Sequence, residues 1–119
     1  MKFEWSQYIE VADSLGEIAE QRQENQEAFY RAGISRAYYA AFHMTKLAFD
    51  FESSFGSEHA RLLVFLNEGT SQKKKKIRKI LSRLKVGRVQ ADYHERPKVT
   101  KNDLQISLRD ARKILEMLG

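Results

Sequence analysis

Between Gln26 and Phe49 the residues Tyr30, Ile34, Ala37, Tyr38, Ala41, Met44 and Ala48 return at helical intervals, and the same spacing governs nearly all of the 119-residue chain. Apolar residues placed this way line one side of a helix of about 3.6 residues per turn, whereas a half-buried strand would alternate them. The chain is therefore expected to be built of helices, with no convincing strand and no internal repeat. A first helix carries Trp5, Tyr8, Ile9, Ala12, Leu15, Ile18 and Ala19 on one side and acidic residues on the other. The second spans about Gln26 to Phe49, and "ESSFGS" interrupts the pattern after it. A short third helix, from about Glu58 to Asn67, carries Leu62, Leu63, Phe65 and Leu66 and should be mostly buried.

The glycine of "NEGTSQ" suits a helix end, and the Thr and Ser after it suit a new start. The fourth helix follows from about Gln72 to Asp92, with Ile77, Leu81, Leu84 and Ala91 inward and its lysines outward. "HERPK" closes it, because proline disfavours helix at the preceding residue. Thr100 and Asp103 then resemble a capping box opening a last helix with Leu104, Leu108, Ala111, Leu115 and Leu118 inward. The expected fold is all-α, an up-and-down bundle of four to five helices with short loops, residues 1–119 forming a single domain.

No run approaches the ~18 consecutive apolar residues of a membrane helix, and no charged leader precedes an apolar core, so a cytoplasmic location away from membranes is expected. With three histidines and no cysteine, neither a disulfide framework nor a structural zinc site is expected, and no metal or cofactor. Charge is divided unevenly. The first sixty residues hold five Lys/Arg against ten Asp/Glu, the remainder sixteen against six, and the excess centres on "KKKKIRKILSRLKVGR". Such a run is either a solvated helix face or a surface for a polyanion.

There is no phosphate-binding glycine loop, no metalloprotease motif and no nucleophile elbow. Three places remain where chemistry can sit. In "SRAYYAAFH", Arg36, Tyr39 and His43 share a helix face apart from the apolar stripe. Either they pack with satisfied polar tips or they wall a nucleotide or RNA site by stacking and an Arg–phosphate contact. In "RVQADYH", Arg88 stands on the inward stripe where a leucine is expected, and a buried charge needs compensation. Asp92, one turn on, is the candidate partner. His94 meets Arg88 only if the helix ends or bends near Tyr93, since on an uninterrupted helix it lies about 120° away. His59, at the start of the third helix, either bonds locally or turns into the cleft with Tyr39 and Arg88.

An arginine and a histidine in a basic groove can cleave RNA without a metal. A neutral imidazole takes the proton of the ribose 2′-OH, and a guanidinium stabilises charge on the phosphorus as that oxygen attacks. Histidine suits the task because its pKa, about 6.5, lies near working pH. DNA lacks the 2′-OH and would be spared.

The segments "AGISRAYYAAFHMTKLAF", "SEHARLLVFL", "LSRLKVGRVQADYH" and "VTKNDLQISLRDARKIL" together resemble the HEPN domains, specifically the small stand-alone bacterial and archaeal type of the Ala-Asp-Tyr subgroup. The resemblance implies a helical bundle that commonly forms a homodimer and is often encoded beside a minimal nucleotidyltransferase, its antitoxin in a toxin–antitoxin pair. In active members it implies a metal-independent ribonuclease whose arginine and histidine are separated by four to six residues at a cleft on the dimer. Arg88 and His94, with five residues between them, fit that pattern as the catalytic pair, and Arg36 and His43, with six, fit it numerically. Active members usually carry a tyrosine two residues beyond the histidine, where this chain has Arg96; Tyr93 precedes the histidine instead. A non-catalytic module, with Asp92 and Tyr93 facing a nucleotide or the nucleotidyltransferase, is the alternative.

Overall fold

The computed structural model describes residues 2–52 and 56–119, and within them the chain forms five helices: α1 (Gln7–Gln21), α2 (Gln26–Ala48), α3 (Glu58–Leu66), α4 (Gln72–Tyr93) and α5 (Lys101–Leu118). The all-α bundle expected from the spacing is the fold observed. Three helix starts follow the N-cap rule, because a side-chain oxygen there satisfies a backbone N–H that has no intrahelical partner. Ser57 accepts from Ala60 N, Ser71 from Lys74 N, and Thr100 completes the expected capping box with Asp103. The "ESSFGS" break lies partly outside the described residues.

α2 is the central element, packed against α1, α4 and α5, while α3 lies against α4. Its neighbours bury it around far more than one stripe. Gly33, Ser35, Ala40, Phe42 and Thr45 join Tyr30, Ile34, Ala37, Tyr38 and Ala41 in the interior, whereas the last turn emerges and Ala48 is exposed. A single-stripe reading therefore identifies the helix but understates how much of it is covered. The approach of α1, α2 and α5 is set by Leu104. Its methyl carbons fill a notch left by two glycines, where a Cβ would lie 2.8 Å away at Gly16 and 2.9 Å away at Gly33. The third helix is less buried than expected, since Val64 is 63% exposed. Among the described residues no helix is long and apolar enough to cross a membrane.

Candidate functional site

Arg88 follows Ile77, Leu81 and Leu84 on the buried stripe of α4, so the helix itself carries its side chain into the bundle, where the residue is 8% exposed. α2 receives it with aromatic rings. The guanidinium carbon lies 5.5 Å from the ring centre of Tyr38 and 5.3 Å from that of Tyr39, with Tyr93 of α4 at 5.7 Å. A cation within about 6 Å of an aromatic ring is attracted by the negative face of its quadrupole.

Asp92 is the counter-ion, one turn along α4, but its Oδ2 stands 3.9 Å from Arg88 Nη1, too far for a hydrogen bond. That oxygen instead accepts from Ser35 Oγ at 3.1 Å, and Ser35 Oγ accepts a long contact from Arg36 Nη2 at 3.5 Å. Among the described residues Arg88 donates no hydrogen bond, and its Nε is buried without a partner. An unmade buried donor costs about 1–3 kcal/mol, and native structures leave few of them. An incoming anion would satisfy these donors.

His59 reaches the same cluster from α3. Its Nδ1 lies 2.5 Å from the Tyr38 hydroxyl, and its ring stacks on Phe42 with centroids 4.2 Å apart. Burial pushes the Tyr38 phenol well above its ordinary pKa, so the hydroxyl keeps its proton in this hydrogen bond with the imidazole. Burial, followed by the charges of Arg88 and Lys85, holds the His59 pKa below its usual value and keeps the ring neutral. Arg88, Tyr38 and His59 thus form a connected unit.

The face of Arg36, Tyr39 and His43 is covered by the start of α1 and the residues just before it. The Arg36 guanidinium sits over Tyr8 at 4.8 Å and Tyr39 at 5.2 Å, and His43 stacks on Trp5 with centroids 3.7 Å apart. Burial, and then the Lys46 charge, lowers the His43 pKa. Tyr39 alone of the three also touches Arg88, so it joins the packed face to the cleft.

α4 ends at Tyr93, and His94 adopts an extended backbone, φ −115° and ψ 128°. The helix therefore stops where a meeting of Arg88 and His94 would require it to. The His94 imidazole is exposed beside an open groove with Asp92, Tyr93, Glu27 and Arg31, and among the described residues no hydrogen bond or ring contact joins it to Arg88. Asp92 and Tyr93 link the two environments, Tyr93 being 71% exposed.

What fixes this corner is Arg31, which the sequence reading passed over. Its guanidinium donates to the carbonyls of Gln90 (3.2 Å), Ala91 (2.9 Å), His94 (2.6 Å) and Glu95 (3.2 Å), caps the C-terminus of α4 and meets its negative dipole end. Glu27 holds Arg31 at 3.0 Å and accepts from Val99 N at 3.0 Å; that backbone N–H, then Arg31, lowers the Glu27 pKa. The Glu27–Arg31 pair was visible as an i,i+4 spacing, but its long-range carbonyl targets were not. Ser35 was missed for the same reason, and Tyr38 because it sits on the packing stripe. No cluster of three or more His, Asp or Glu able to hold a metal ion occurs among the described residues.

The chain is thus a five-helix bundle in which an arginine of the fourth helix is buried against aromatic residues of the second. The HEPN domain family matches residues 5–119, and the chain belongs to that family. Neither a curated protein nor a solved structure matches it.

Proposed function

We propose that this protein is the toxin-like member of a toxin–antitoxin pair, binding RNA or a nucleotide at Arg88 and cleaving RNA without a metal through Arg88 and His94. The observation that carries this reading is the buried Arg88, ringed by Tyr38, Tyr39 and Tyr93 and donating no hydrogen bond among the described residues. A phosphate oxygen supplies the missing acceptors, and charge-assisted bonds of this kind are the strong ones. Tyr93, 71% exposed and 5.7 Å from the Arg88 guanidinium, gives a base a face to stack on. The His94 imidazole takes the 2′-OH proton, the 2′ oxygen attacks the phosphorus, and the P–O5′ bond breaks; the 5′ oxygen leaves with a proton returned by the imidazolium or by water, and a 2′,3′-cyclic phosphate is left. The basic face of α4 collects the polyanion. A homodimer and a minimal nucleotidyltransferase antitoxin belong to the same reading.

The test is incubation of RNA with purified protein in EDTA. Cyclic phosphate ends with wild type, lost in Arg88→Ala and His94→Ala, are the expected result. RNA left intact under all metal conditions would remove the enzyme.

A second reading is favoured by the separation of the His94 ring from Arg88 and by Arg96 in place of a tyrosine: a non-catalytic module that dimerises and binds the nucleotidyltransferase or a nucleotide. Growth arrest on expression of this chain alone, cured by the partner, favours the toxin. Normal growth with a stable co-purified complex favours the module.

A further inference from the structure

Gly87 lies inside α4 beside Arg88, yet the fold does not require a glycine there. A Cβ at this position would meet Ser107 Oγ at 3.6 Å and Ile34 Cγ2 at 3.8 Å, both ordinary contacts, unlike the clashes at Gly16 and Gly33. A helix-interior glycine is less stable than alanine by roughly 0.5–1 kcal/mol. Its bare backbone instead forms part of the floor of a groove of about 580 Å³ between α4, α5 and the 97–99 segment, away from the Arg88 cluster.

The groove combines apolar walls with a few polar groups. Ile34, Leu84, Val86 and Ile106 make it largely apolar, and Val86 and Ile106 are 68% and 39% exposed on its walls. Ser107 lines it at 6% exposure and makes no hydrogen bond among the described residues. A Cβ at Gly87 would stand 3.6 Å from that hydroxyl. Asp110, also in the lining, is neutralised by a two-pronged contact from Arg83 at 3.1 and 3.2 Å. Asp103 is engaged in the capping box. With Asp110 paired to Arg83, Arg78, Lys79 and Lys98 outweigh the single Asp103 carboxylate, so the lining is net positive, and Arg78 Nε is buried without a partner. Apolar grooves of this size with a few convergent polar groups are typical small-molecule sites.

We infer that this groove binds a small amphiphilic anion: an apolar or aromatic body over Gly87, a polar group on Ser107, and one anionic group at the Arg78–Lys79–Lys98 rim. The site is independent of RNA binding at Arg88.

The probe is 8-anilinonaphthalene-1-sulfonate, titrated into the full chain by fluorescence and calorimetry, with the uncharged N-phenyl-1-naphthylamine beside it. Wild type is expected to bind one sulfonate probe per chain and the uncharged probe at least about tenfold more weakly. Gly87→Ala is expected to melt above wild type and yet weaken the probe at least about tenfold, and Val86→Glu to weaken it likewise. Arg88→Met and Val64→Glu, outside the groove, should leave probe binding unchanged. No saturable single site, equal affinity for the two probes, or unaltered binding by Gly87→Ala and Val86→Glu would each overturn the inference.

Discussion

Arg88 is buried among three aromatic rings, with one ion pair at 3.9 Å and no hydrogen bond among the described residues. Burying a charge with so few partners is expensive, and an apolar residue of similar reach often replaces it with no loss of stability. Asp92 is half of the ion pair and the acceptor for Ser35, so Asp92→Ala is expected to destabilise by about 1–3 kcal/mol in denaturant unfolding. The histidines add a pH dependence. His43 and His59 both have folded pKa values below the unfolded 6.5, so the native state disfavours their protonation. Their contribution is present above that value and is lost as pH falls through the lowered folded values. The melting temperature should fall on acidification from neutral pH, and the His43→Asn, His59→Asn double variant should flatten that part of the profile. An unchanged slope in the double variant would place the acid sensitivity elsewhere.

At the scale of elements, two devices set where the site residues point. The first is the Gly16–Gly33 notch that admits Leu104. Gly33→Ala is expected to cost about 1–3 kcal/mol by overpacking, and Leu104→Ala in the same chain to recover part of that loss, read as a non-additive double-mutant cycle. The second is the Arg31 fork at the end of α4. Arg31→Ala should free the 94–99 segment, raising its backbone amide exchange while the centre of α4 stays protected. Retained protection at Val99 would contradict this role. The same elements show how far the sequence could be read. Helical spacing located all five helices, and Thr100 with Asp103 announced a cap, because both signals are local. Arg88 was legible because it breaks a stripe. Arg31 and Ser35 were not, since their partners lie far along the chain, at Gln90–Glu95 and Asp92. Tyr38 looked like packing because it is packing, at 1% exposure, and only its neighbours reveal the hydroxyl's bond to His59.

At the scale of the molecule, the bundle separates two surfaces that use the same helix. One side of α4 turns Arg88 toward α2, and another faces α5 across the groove floored by Gly87. If the proposed RNA binding holds, attraction by the lysine-rich start of α4 should weaken with salt, whereas a contact at the buried Arg88 should be affected less. The central claim is that Arg88 is held for a phosphate rather than for the fold. Its most direct test is the affinity of Arg88→Met for a short single-stranded RNA at fixed salt, with the melting temperature measured on the same sample. The account predicts a variant that melts at or above wild type and binds RNA roughly tenfold or more weakly, the loss of a charge-assisted bond of about 1.5–3 kcal/mol. A variant that binds RNA as tightly as wild type would contradict it.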